Sequence, residues 1–538
     1  MNKIAIIILL FWTTSLVYSQ PIDRKRFEFE IDEKLGEDYK VIPAEEHGVL
    51  CLLKSKKALK GGNRELQFTF LNANLEKVWE KVHPTKSTTQ LVAYSLEDEI
   101  VYILTSEKEF DYEILTVDLR TGLLSIITYQ NLRHFDITHF EVANGVFYFG
   151  GVVKGHPGVL SYNHRKQHLQ VFPSIHQLDA DLEEMNVDKA KGLVTVLLKG
   201  SLIPGRKTLF INRYDLEGKS LGNSPYLIDR KVNLLTYRPF TKSAEELLIF
   251  GTYSLRNDDK AQGIYVLKSQ QLSEEKERIR YYDFGYLSNY FKYLKPNQRE
   301  KIERKIAKRR AKDKIYKLSS DLFVHELQET EDRIILLAES YEGVRDSHSP
   351  MQSYSLNRYY RSMLDPMYYL HRPSYSSYDN YYGEYMPTRL AEMDLSPGKN
   401  RPDKFEYVHG IACGFDKEGR LLWDNSYKFQ EDTEFELPLE SLQVYSRDDS
   451  VVFIQPQETV LAYTVTSGSI YADSVHTLPT IIEEEESEYW EFGGVFKWFE
   501  NHYLTVGIQE VKNTVIKDKS REVFYISKLS YNPKVVSE

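Results

Sequence analysis

The stretch "ACGFDKEGRLLWDNSY", Ala412 to Tyr427, decides the fold. Apolar residues run up to Phe415, Asp416-Lys417-Glu418-Gly419 intervenes, and Leu421-Leu422-Trp423 follows. Asp and Gly tolerate the left-handed backbone that a tight hairpin needs, so the spacing predicts two strands around a turn. A lone hairpin is only marginally stable in water. This one must lean on neighbours.

Other segments have the same build. "QFTFLNANLEKVWEK" (Gln67 to Lys81) reaches Trp79, and "YEILTVDLRTGLLSII" (Tyr112 to Ile127) turns at Asp118 to Gly122. "LFINRYDLEGKSLG" turns at Asp215 to Gly218 and "VLAYTVTSGSIYA" around Ser467-Gly468, with weaker copies near Asn163 and Lys268. Apart from one wide gap the turns recur about every 45 to 50 residues, a period that points to propeller blades. An apolar strand precedes each turn: "GVLCLLKS", "EIVYILTS", "GVFYFGGVV", "LVTVLLKGS", "ELLIFGTYS", "RIILLAESY", "SVVFIQPQ" and "HYLTVGIQEV". Nearly every residue in them is apolar, as expected of inner strands covered on both faces. The expectation is an all-β propeller of eight blades, with seven if one weak repeat is miscounted. Blades would open near residues 39, 90, 138, 184, 235, 322, 440 and 490. "RFEFEID" (Arg26 to Asp32) reads as an orphan strand that pairs into the last blade and closes the ring.

At the hairpins a resemblance appears. "VDLRTGLL" (Val117 to Leu124) and "FDKEGRLLW" (Phe415 to Trp423) resemble the blade motif of the eight-bladed propellers of quinoprotein dehydrogenases and of the outer-membrane assembly lipoprotein. The likeness covers two good hairpins, with Trp at 79 and 423 and Ile126 in the Trp position elsewhere. It implies blade packing and no activity. The quinone enzymes carry adjacent cysteines at the cofactor, which this chain lacks, so no cofactor is expected.

The N-terminus reads "MNKIAIIILLFWTTSLVYSQ": Lys3, then an apolar run from Ile4 to Trp12, then Val17-Tyr18-Ser19. This resembles a secretory signal peptide over residues 1–19 rather than a membrane anchor, because the run is short for a span of roughly 20 residues. Residues 20–538 are expected to form one exported, soluble propeller domain, periplasmic or extracellular and associated with the outer membrane, with no later transmembrane segment. Only two cysteines occur, Cys51 and Cys413, each in a His-Gly-x-x-Cys spelling. Two cysteines are too few for a disulfide framework, and the four ligands of a zinc site normally come at closer paired spacings. The two cysteines read as buried thiols, with one long-range disulfide as the alternative. The formal net charge of −10 argues against nucleic acid as a partner.

Two insertions interrupt the period. The first, about 285–320, has no Gly or Pro from Gln298 to Lys317 and is rich in helix formers. Ile302, Ile306 and Ile315 give it a thin apolar edge. Eleven basic residues against three acidic ones between Lys295 and Lys317 suit an anionic surface such as lipid headgroups, polysaccharide or an acidic partner. A solvated helix clipped to the rim is the other reading. The second insertion, about 343–405, holds ten Tyr between Tyr354 and Tyr385, beside Arg358, Arg361 and Arg372. That is the composition of a binding surface, or of a low-complexity loop folded over the propeller. Candidate partner-binding residues are Lys308, Arg309, Arg310, Arg358, Tyr359, Tyr360, Tyr381 and Tyr382.

Catalytic motifs are missing: no His-Glu-x-x-His, no Gly-x-Ser-x-Gly and no phosphate-cradling glycine loop. His164 and His168 fall in a hairpin turn, and Glu483 to Glu486 read as a solvated run. No catalytic, cofactor-binding or metal residue is assigned. The expectation is an exported, non-enzymatic scaffold that binds an envelope protein or glycan. The rival is a glycoside hydrolase or lyase with carboxylates in the propeller channel.

Overall fold

The computed structural model describes residues 25–31, 39–108, 111–128, 134–175, 179–255, 260–270, 278–312, 316, 318–325, 327–344, 404–435, 443–447, 450–455, 461–466, 470–474, 485–513, 515 and 520–531. These residues form eight antiparallel sheets, numbered 1 to 8 here, each following chain order except that the N-terminal strand completes sheet 8. They open at Tyr39, Gln90, Phe135, Ala180, Val232, Asp321, Gln443 and Glu485, within five residues of the starts read from the sequence. Sheet 6 contains the opening hairpin as its outer half: Asp321–Val324, Arg333–Val344, Lys404–Asp416 and Leu421–Phe435 lie side by side.

The apolar second strands explain how the sheets associate. Successive side chains of a strand point to opposite faces, so an all-apolar strand needs a neighbour on each. In sheet 6, Ile334 and Leu336 join the core shared with sheet 5, while Ile335 and Leu337 join the core shared with sheet 7. Sheet 5 divides Leu247 and Ile249 from Leu248 and Phe250 in the same way. One core spans sheets 1 to 3, and further cores join 3 to 4, 4 to 5, 7 to 8, and 8 back to 1. Each sheet is thus packed between two others, and the last packs on the first. The fold is an all-β propeller.

Closure is made by the N-terminal strand. Arg26–Glu30 pairs antiparallel with Ser520–Ser530 as the outer strand of sheet 8, with Phe29 opposite Phe524. Phe27 and Phe29 pack towards sheet 1, and Tyr39 stacks on Phe524 with ring centroids 4.4 Å apart. On the other face Glu28 bridges Arg26 and Arg521, each at 2.7 Å.

Trp79 performs the packing role implied by the hairpin motif. From the outer strand of sheet 1 (Lys77–Lys86) its indole N–H donates to the carbonyl of Leu119 in sheet 2 at 2.6 Å. The ring lies against Gly122, where an added Cβ would meet it at 2.9 Å. Cys51 and Cys413 are buried, unbonded thiols on different sheets, and burial raises the pKa of both. No helix among the described residues is long and apolar enough to cross a membrane.

Candidate functional site

Both insertions open at one end of sheet 6. The first joins Asp283, the end of sheet 5, to Asp321. The second leaves the sheet at Val344 and returns at Lys404. Register fixes their proximity: Asp321 pairs with Tyr341, Tyr341 with Tyr407, and Val344 with Lys404. Arg358, Tyr359, Tyr360, Tyr381 and Tyr382 lie outside the described residues, as does Ile315.

The first insertion is built onto the propeller. Asp283 accepts the Gly285 N–H at 2.8 Å and caps a short 3-10 turn, Phe284–Tyr286. Burial pushes its carboxyl up to about 6. Phe284, Leu287, Tyr290 and Phe291 then enter the core between sheets 5 and 6. Asp424, three residues beyond Leu421, accepts the N–H groups of Ser288 and Asn289 at 2.9 and 2.6 Å. The Ser426 hydroxyl donates to the Tyr290 carbonyl at 2.6 Å. Tyr293 stacks on His409, centroid to centroid 3.7 Å with planes 2° apart. His409 is buried with no hydrogen-bond partner on either ring nitrogen, and desolvation lowers it to about 3.

This anchored segment leads into helix α1, Pro296–Arg310, with Pro at its first turn as helix starts favour. Ile306 is buried in the same core and Ile302 packs against it. The two isoleucines therefore fix the rotation of the helix. At 100° per residue, Lys301, Lys305 and Lys308 fall within an arc of about 60°, centred about 110° around the helix from the isoleucines. All three are exposed, as is Lys312 in the following turn. Glu300 and Glu303 lie elsewhere on the circumference, facing Arg304 at 2.5 Å and Arg299 at 3.6 Å. Like charges one turn apart cost roughly 0.2–0.5 kcal/mol per pair, so the lysine stripe is mildly self-repelling.

The helix phase separates the three basic residues singled out from sequence. Lys308 belongs to the stripe and Arg309 flanks it. Arg310 turns back to the propeller, its guanidinium carbon 4.3 Å above the Tyr286 ring. Sequence reading missed Lys301 and Lys305, although the spacing of Ile302 and Ile306 carried the phase that selects them.

A second polar cluster lies on the inner strands. The first strand of sheet 5 is broken into Val232–Leu234 and Arg238–Thr241, that of sheet 6 into Asp321–Val324 and Gln328–Glu329. Pro239, which has no N–H to donate, follows Arg238 at the break. Arg238 donates to the carbonyls of Val324 (2.8 Å) and His325 (3.1 Å) and lies 3.5 Å from Glu184 of sheet 4. His325 meets Glu339 at 2.6 Å. These are the carboxylates that a channel enzyme would draw on, but Glu184 and Glu339 are 2% and 0% exposed. Their geometry ties sheets 4, 5 and 6 together. His139 of sheet 3 is also buried, and desolvation lowers it to about 3. His164, in its turn, lies with Nδ1 3.2 Å from the Gly145 carbonyl.

No protein family matches the sequence, and no curated protein does. Solved structures with a similar trace include the polysaccharide lyase Uly1, 7% identical, with TM-score 0.36 over 92% of this chain and 99% of that one. The β-propeller domain of the Trilobed protease from Pyrococcus furiosus is 8% identical, with TM-score 0.32 over 81% and 98%. A prolyl endopeptidase is 10% identical, with TM-score 0.30 over 80% of this chain; the chain spans 55% of that protein's length. At this level of similarity none of the three lends its activity to the chain.

Proposed function

We propose that the protein is an exported, non-enzymatic propeller scaffold that holds a protein or glycan of the cell envelope on the face where its two insertions open. One observation carries the reading: a basic helix is fixed to the ring within an insertion that re-enters sheet 6 at Asp321, at the same end of the sheet where Val344 and Lys404 bracket the Tyr-rich insertion. Affixing a charged helix through a buried core and a carboxylate clamp pre-organises a binding surface, which lowers the entropic cost of binding. Pull-down from native membranes with purified protein should recover a stoichiometric envelope component. Turnover of any member of a glycan panel would sink the scaffold reading in favour of a glycoside hydrolase or lyase.

A further inference from the structure

We propose that Lys301, Lys305 and Lys308 of α1, continued by Lys312, form a binding site for a linear acidic polysaccharide. This rests on the scaffold reading and names the chemistry of one partner. The four lysines, with Arg309 at their flank, follow one another in single file for about 16 Å along the helix, with successive steps of about 4.5 to 6 Å. A linear polyanion presents its charges in such a single file. A bilayer surface spreads them in two dimensions and is gripped by helices that also bury apolar residues in it. The isoleucines of α1 are already used: Ile306 is buried and Ile302 packs against the propeller core.

The choice of lysine points the same way. Arginine's planar fork demands one bidentate geometry of carboxylate or phosphate, whereas lysine supplies point charges on flexible stems that can follow a mobile chain. Arg304 and Arg299 face glutamates, Arg310 covers Tyr286 and Arg309 stands at the flank, so the members of the stripe itself are lysines. The helix Pro296–Arg310 carries seven basic residues and two acidic ones in a chain of net charge −10. The remaining surface therefore repels a polyanion and steers it to α1. The anchors described above hold the stripe in place before any ligand arrives.

The test titrates the full mature protein with polygalacturonate, with neutral dextran and phosphatidylglycerol vesicles as comparisons. Polygalacturonate should bind, with dextran inert. The variant Lys301→Gln/Lys305→Gln/Lys308→Gln/Lys312→Gln should bind at least tenfold more weakly. The slope of log K against log salt should fall by roughly three, as expected when four cations no longer release counterions. Arg310→Gln should retain both affinity and slope. Wild-type affinity in the quadruple variant, or binding to vesicles and not to polygalacturonate, overturns the proposal. If that happens while an envelope protein is still recovered, the scaffold reading stands without the glycan. Chain shortening of polygalacturonate would sink the scaffold reading, while stripe-dependent binding would still support the site.

Discussion

Glu418, in the turn of the hairpin from Ala412 to Tyr427, holds its carboxylate 2.7 Å from the Nζ of Lys268 on the neighbouring sheet. Lys242 reaches the same carboxylate at 2.6 Å, and both lysines also meet Glu246. Arg280 donates to the Glu418 carbonyl at 3.0 Å. The hairpin thus leans on sheet 5 through its turn as well as through Phe415, which packs edge-on to Phe250.

The two lysines lower the Glu418 carboxyl to about 2. A depressed carboxylate stabilises the fold above its unfolded value, about 4.3, and loses that contribution as pH falls through 4 towards 2. The side chain is 44% exposed, so solvent limits the effect to about 1 kcal/mol or less. Glu418→Gln should therefore lower stability by about 0.5–1 kcal/mol in urea titrations at pH 7 and low salt. The gap to wild type should close as the titrations are repeated down to pH 2.5. An unchanged gap would show that the turn is held by shape alone.

Gly122 and Gly192 share a left-handed backbone, with φ of +68° and +67°. They differ in surroundings: an added Cβ meets Trp79 at 2.9 Å in the first case and nothing within 4 Å in the second. Gly192→Ala should cost only the left-handed penalty, about 1–2 kcal/mol. Gly122→Ala should cost clearly more and alter Trp fluorescence, because the indole must shift from the seam between sheets 1 and 2. Equal costs would mean that Trp79 yields freely and does not lock the seam.

The buried imidazoles of His409 and His139 make the fold sensitive to acid. Their folded values, near 3, lie below the unfolded value near 6.5. Between those limits the unfolded chain binds protons that the folded chain refuses, so stability falls as pH falls from 6.5 to 3. Each group contributes a slope of up to about 1.4 kcal/mol per pH unit. His409→Gln should be less stable than wild type at pH 7 and should lose less on acidification, so thermal midpoints converge towards pH 4. Parallel curves would rule out His409 as a source of the dependence.

The inner strands were legible in the sequence because both their faces are covered. An apolar residue at every position, as in "IILLA" (Ile334 to Ala338), signals burial and spaces the repeats. The closing strand was legible as the orphan strand "RFEFEID" ahead of the first repeat. Arg238, Glu184, His325 and Glu339 were not. They stand far apart in the chain and meet only because sheets 4, 5 and 6 converge, with two inner strands broken where they meet. The candidate face lay between these extremes. Its helix could be read from composition, but the direction of Arg310 depends on which side the isoleucines anchor.

The N-terminal strand should govern the oligomeric state. Without residues 25–31, Ser520–Ser530 would present an open edge with Phe524 and Ile526 beside it, and open edges recruit other strands. A chain lacking those residues should associate with rising concentration in light scattering, while the intact chain should not change. Unaltered scattering by the shortened chain would mean that sheet 8 tolerates its edge.

Asp424 should control how firmly α1 is held. Its carboxylate accepts two backbone N–H groups, from Ser288 and Asn289, and its carbonyl accepts the Asn289 side-chain amide at 2.9 Å. Asp424→Ala removes the carboxylate and strands two half-buried donors, at a cost of about 1–3 kcal/mol for each donor left dry. The cheapest relief is for the 284–294 segment to lift from sheet 6 and let water in. The strain should therefore appear as local opening: faster hydrogen exchange across 286–312, with strands 333–344 and 421–429 protected as in wild type. Asp424→Asn keeps an acceptor and should give a smaller increase. If exchange rises equally over the helix and the sheet, Asp424 supports the blade as a whole and is not a clamp for α1.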